Sequence, residues 1–81
     1  MVRPVVKLRL TLEREAHGWN KSELARRAAK QPSRIGALEL GRAIPPRGSK
    51  ELLGLAIVLG FKGDPDDLLD PVEVPAEAAS A

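Results

Sequence analysis

The 24 residues from Trp19 to Arg42, WNKSELARRAAKQPSRIGALELGR, constrain the fold more than any other part of the chain. They read as two short helices joined by a tight turn. Leu24, Ala25 and Ala28 on the first helix, with Ile35 and Leu38 on the second, recur at helical spacing and form one apolar seam. Asn20 is an N-cap for a helix from about Lys21 to Ala29, and Glu23 three residues on makes a capping box. The second helix is entered through Gln31-Pro32 and runs from about Pro32 to Leu40. Proline at its first position has a pre-set φ and lacks only an N–H that would be unpaired there. Gly41 ends it. Ala25 is small enough to let the two helices cross closely.

A chain of 81 residues is one domain and buries a small core. It has no cysteine, so neither a disulfide nor a zinc–thiolate site can staple it. Helix packing, or a second subunit, must hold the fold. Absence of cysteine also suits a reducing cytosol. No apolar run approaches the roughly 18 residues of a membrane span. The N-terminal MVRPVVKLRL is broken by charges and lacks a signal-peptide core. The expected location is therefore cytoplasmic.

The remaining segments follow from caps and periodicity. A first helix is expected from Pro4 or Val5 to His17-Gly18. Val6, Leu10 and Arg14 lie on one side of it and Val5, Leu8 and Leu12 on another. The second stripe needs a cover, either the C-terminal segment or another subunit. Arg42–Gly48 is a loop stiffened by two prolines. Ser49 caps a helix from about Lys50 to Leu59, with Leu52, Leu53, Leu55, Ala56 and Leu59 as its core side and Gly60 as its exit. Asp64-Pro65-Asp66-Asp67 signals the start of a short fifth helix, with Leu68 and Leu69 packing back. From Asp70 onward the chain is rich in proline, alanine and acid, and is expected to be extended or disordered. The expected fold is all-α: a compact bundle of about five short helices over residues 1–70, with a tail at 71–81.

Charge is unevenly spread. Residues 1–50 hold 12 Lys and Arg against 4 Asp and Glu, whereas residues 51–81 hold 1 against 7. A basic front and an acidic rear suit a polyanionic partner. Catalysis is not expected. His17 is the single histidine and sits at a helix end, where it satisfies carbonyls. Asp64, Asp66 and Asp67 fit helix capping better than a metal loop. No cofactor and no metal is expected.

Certain pieces together carry a family resemblance. They are Gly18-Trp19, Ser22-Glu23-Leu24-Ala25-Arg26-Arg27-Ala28, Pro32-Ser33, Ile35, Leu38-Glu39, Gly41-Arg42, and Leu55-Ala56 through Leu59-Gly60. Over about Lys7 to Asp70 the chain resembles the Cro and phage-repressor family of helix-turn-helix domains, with the lambda-repressor-like fold. The resemblance implies five helices, the second helix of the motif in the DNA major groove, and a symmetric dimer on a palindromic site. It implies base contacts from Gln31, Ser33, Arg34 and Ala37. Gln and Arg can read adenine and guanine in bidentate fashion, and Ala37 can touch a thymine methyl. It implies phosphate contacts from Lys21, Arg42, Arg47 and Lys50, with Arg3 and Lys7 forming a basic N-terminal arm. It also implies a structural ion pair between Arg14 and Glu39. Leu68, Leu69 and Val72 are the candidate dimer contacts.

The chain departs from the family pattern at several positions. Lys21 stands where Gln is usual. Ala29-Lys30 replaces Gly and an apolar residue in the turn, and alanine at a left-handed position is strained. Gln31 is a poor cap, and Leu40 replaces a residue that is often polar. Gly36 costs a helix roughly 1 kcal/mol against Ala, which a close approach to DNA or to the preceding helix would explain. The leading expectation is a transcriptional regulator that binds double-stranded DNA. The alternative is an interaction protein on the same scaffold, binding another regulator or RNA polymerase through Gly36, Ala37 and Leu40 and the Val5-Leu8-Leu12 stripe.

Overall fold

The computed structural model describes the backbone of residues 5–74 and the side chains of residues 6–74. It opens with a strand where a helix was expected. Val5–Leu8 form β1, which pairs antiparallel with β2, Pro71–Val74, in the register Val5↔Val74, Val6↔Glu73, Lys7↔Val72 and Leu8↔Pro71. The first helix, α1, is Arg9–Ala16. Val5 and Val6 are β-branched and favour extended backbone. Their partner, Pro-Val-Glu-Val, alternates between exposed and half-buried residues as a half-covered strand should. The C-terminal segment therefore lies beside residues 5–8 as a paired strand, so residues 71–74 of the expected tail are ordered extended backbone. Lys7 is not a loose arm: its Nζ donates to both Glu15 carboxylate oxygens at 2.9 Å. Arg3, Pro4 and residues 75–81 lie outside the described residues.

Three further α-helices follow among the described residues: α2 (Lys21–Arg27), α3 (Pro32–Glu39) and α4 (Lys50–Leu59). Asn20 caps α2 by accepting from the Glu23 N–H at 2.8 Å, and Ser49 caps α4 by accepting from the Leu52 N–H at 3.2 Å. The capping box at α2 is only half made, because the Glu23 carboxylate turns to Arg26 and Arg27 instead. Gln31 makes no side-chain cap bond, and Pro32 starts α3.

All four helices leave by the same left-handed turn. The backbone N–H groups of Trp19, Lys30, Arg42 and Phe61 reach back to the carbonyls of Arg14, Ala25, Ala37 and Ala56. This is the six-to-one bond of a Schellman ending. Three of these exits use glycine: Gly18, Gly41 and Gly60, with φ of 73°, 74° and 68°. The exit of α2 uses Ala29, with φ of 55°. A residue with a Cβ pays roughly 1–2 kcal/mol for that conformation, so the turn between α2 and α3 is locally strained.

The core is one cluster built from Leu10, Leu24, Ala25, Ile35, Leu38, Leu55, Ala56, Leu59 and Leu68. Each fully buried leucine contributes about 1.5–3 kcal/mol. Trp19, Ala28 and Phe61 pack against its rim. Leu53, expected inside, is 49% exposed. The fifth helical element is a 3-10 turn, Pro65–Leu69, packed against α1 and α4. Asp64 caps it, accepting from the Asp66 N–H at 3.0 Å. Leu68 is fully enclosed in the protomer's own core, so it cannot serve as a dimer contact without unpacking the domain. Among the described residues the architecture is a small helical bundle of four α-helices, as expected in outline, with a minor two-stranded sheet that was not expected.

Candidate functional site

The α3 helix is fastened to the body along one side and open along the other. Ile35 and Leu38 enter the core. At its C-terminal end, the Glu39 carboxylate receives Arg14 Nε at 2.8 Å, Arg14 Nη2 at 3.0 Å and the Thr11 hydroxyl at 3.0 Å. Arg14 Nη1 donates to the Trp19 carbonyl at 2.7 Å. The two ionic side chains are only 11% and 4% exposed. The hydrogen bonds to Glu39 raise the Arg14 pKa above its already high ordinary value, against the opposing effect of burial. This network ties α3 to α1 and to the junction before α2, and it fixes how α3 lies.

The outer side of α3 is sparse. Ser33, Gly36, Ala37 and Leu40 follow one another at i, i+3, i+4 and i+7, the spacing of one helix face. Ser33 and the preceding Gln31 are exposed, Gly36 and Ala37 are half-buried, and Leu40 is 63% exposed. A Cβ built on Gly36 meets nothing within 4 Å. Close packing against α2 therefore does not account for this glycine.

Arg34 lies at the edge of this face and is already engaged. Its Nε donates to Glu51 Oε2 at 2.9 Å and its Nη2 to Glu51 Oε1 at 2.7 Å, while Lys30 Nζ lies 3.8 Å from the same carboxylate. Glu51 belongs to the first turn of α4 and its side chain is 15% exposed. The hydrogen bonds from Arg34 hold the Glu51 carboxyl below the ordinary carboxylate range, outweighing the opposite effect of burial. The same bonds raise the Arg34 pKa.

The acidic half of the chain reaches into the basic half at Glu51, which meets Lys30 and Arg34, and at Asp66, which meets Arg47; the other ion pairs close within residues 1–50. Lys7, Arg14, Arg26, Arg27, Lys30, Arg34 and Arg47 each lie within 4 Å of a carboxylate. Among the described cations of the first 50 residues, Arg9, Lys21, Arg42 and Lys50 have no such partner. Arg47 is the loosest of the paired set: its Nε is 3.7 Å from Asp66 and its side chain is 89% exposed. Asp66 also accepts from the Gly48 N–H at 2.9 Å, which pins the proline loop to the 3-10 turn. Lys21 and Arg42 stand at the start of α2 and just past the end of α3. An eight-residue helix spans about 12 Å, so Arg42 and Gln31 mark opposite ends of the exposed face.

A second feature adjoins α3. Leu8, Leu38, Gly41, Ala43, Ile44 and Leu69 line an open apolar hollow of about 240 Å³. Ile44 is 80% exposed beside it. Of the expected dimer contacts, Leu69 lines this hollow, while Val72 is half-buried on β2. The expected sites therefore fall into separate groups, with Ser33, Arg34 and Ala37 on α3 and Gln31 at its N-cap.

Several contributors escaped sequence reasoning. Glu51 lies 17 residues from Arg34 and reads locally as a favourable acid at a helix start. Thr11 precedes Arg14 by one helical turn, a spacing that could have flagged it. His17 stacks on Trp19 with ring centroids 4.2 Å apart, and Arg27 lies 4.4 Å over the indole. His17 Nε2 also pairs with the Leu59 carbonyl at 2.6 Å, at the end of α4 rather than of its own helix. No family model, curated protein or solved structure matches this chain.

Proposed function

We propose that this chain is a double-stranded DNA-binding regulator in which α2, the Ala29 turn and α3 act as a helix-turn-helix. In this reading α3 lies in the major groove, Gln31, Ser33, Arg34 and Ala37 meet base edges, and Lys21, Arg42, Arg47 and Lys50 hold phosphates. The observation that carries it is the two-sidedness of α3. Its inner side is locked by Ile35, Leu38 and the buried Arg14–Glu39 pair, whereas Gly36 and Ala37 leave the outer side nearly bare. A bare, rigid helix face suits close approach of a duplex, and the unpartnered Lys21, Arg42 and Lys50 supply charge for its backbone.

Selection of bound duplexes from a random pool, followed by polarisation titrations at two salt concentrations, tests this. The four phosphate contacts give a slope of log K against log salt of about −3.6. No enriched duplex, or an affinity insensitive to salt, would sink the proposal.

The exposed Leu40, together with the exposed Ile44 at the apolar hollow, favours a second reading, a protein partner on the same scaffold. Arg34→Ala beside Leu40→Asp separates the two. Loss of DNA affinity with Arg34→Ala supports the regulator. Loss of a protein partner with Leu40→Asp alone supports the interaction protein.

A further inference from the structure

We infer that Glu51 is a positioning residue that sets base discrimination at one step of the bound DNA, by holding Arg34 so that only one edge of its guanidinium is offered outward. This inference rests on the DNA-binding reading above. A guanidinium carries five N–H donors in a planar fork. Arg34 uses Nε and Nη2 on Glu51, at 2.9 and 2.7 Å. That consumes the side edge of the fork. The end edge, made by Nη1 and the second N–H of Nη2, remains, and its two parallel donors match the O6 and N7 acceptors of guanine.

The carboxylate that does the holding is itself held. Glu51 sits in the first turn of α4 behind the Ser49 cap, and its side chain is 15% exposed against 42% for Arg34. Lys30 approaches it from the turn between α2 and α3. The Arg34 fork is therefore referenced to three elements at once, and α3 is oriented independently by Arg14 and Glu39. An unheld arginine would reach any nearby phosphate. A held one loses that freedom, and the nearby negative charge of Glu51 opposes phosphate as well. Both effects lower affinity for arbitrary sequence and favour a base that fits the offered edge.

The test uses the full chain, a labelled duplex selected from a random pool, the same duplex with each guanine replaced in turn, and a scrambled duplex of equal length. Wild type is expected to prefer guanine at one position per half-site by about 5- to 100-fold. Glu51→Gln is expected to bind the scrambled duplex more tightly and to lose at least about fivefold of that preference. Arg34→Ala is expected to abolish the preference. Adding Glu51→Gln to Arg34→Ala is then expected to change the ratio by no more than about twofold. A Glu51→Gln protein that keeps the wild-type ratio overturns the inference, as does an equal loss of discrimination with and without Arg34. Wild type that binds no duplex, or all equally, overturns the DNA-binding reading itself, an outcome distinct from either. Far-ultraviolet circular dichroism melts of each variant verify that differences arise in folded protein.

Discussion

Replacing Glu39 with alanine removes the acceptor for three hydrogen bonds, from Arg14 Nε, Arg14 Nη2 and the Thr11 hydroxyl. It leaves the Arg14 guanidinium, 11% exposed, with the Trp19 carbonyl as its remaining hydrogen-bond partner. An exposed ion pair lost in this way costs at most about 1 kcal/mol. A buried charge left without its counter-ion costs about 3–5 kcal/mol. An 81-residue domain has roughly 4–12 kcal/mol in total, so the substitution takes a large part of it. The expected fall in Tm is at least about 12 °C. The triple replacement Thr11→Val, Arg14→Met, Glu39→Leu removes charge and hydroxyl together, and is expected to stay within about 1 kcal/mol of wild type. Urea unfolding followed by circular dichroism measures both. A loss below about 1 kcal/mol for Glu39→Ala, or a triple variant as unstable as the single one, would refute the argument that burial makes this pair matter.

Four other outcomes are expected. Ala29→Gly relieves the only left-handed non-glycine residue among those described and is expected to stabilise by up to about 1 kcal/mol; an unchanged or lower Tm would contradict the strain. Gly36→Ala fills open space and is expected to stabilise by roughly 1 kcal/mol, while weakening whatever ligand approaches α3; destabilisation in thermal melts would show that the space is not open. Leu68→Ala is expected to cost about 2–5 kcal/mol, measured by urea unfolding at low protein concentration, because Leu68 lies in the core; a loss that vanishes on dilution would return it to an interface. The depressed pKa values of Glu51 and Glu23 mean that the unfolded chain takes up protons first on acidification. Their stabilisation is present above about pH 4.3 and is lost as pH falls through the folded values. Unfolding titrations down to about pH 2.5 should show a smaller acid loss for Glu51→Gln than for wild type, and equal losses would remove Glu51 from the account.

The helical segments were readable because their signals are local. Asn20, Ser49 and Gly60 mark ends through bonds to atoms three residues away, Pro32 marks one through its fixed φ, and α4 falls at Lys50–Leu59 as its caps dictate. The Arg14–Glu39 pair, whose members lie 25 residues apart, was an expectation from resemblance and not from local signals, and the structure forms it. The first strand was not readable. Val5–Leu8 has a pattern compatible with a helix, and its extended form depends on Pro71–Val74 arriving beside it. The same limit hid the engagement of Arg34, whose counter-ion belongs to a different helix.

Short-range chemistry in the chain itself was enough to lay out caps, exits and the apolar seam of Trp19–Arg42, because those bonds close within a single helical turn. Folding in three dimensions settled that Val5–Leu8 pairs with Pro71–Val74, which leucines are enclosed and which cations have no carboxylate beside them. Those outcomes depend on carboxylates and strands far away in sequence, and electrostatic pairing and burial act through space rather than along the backbone.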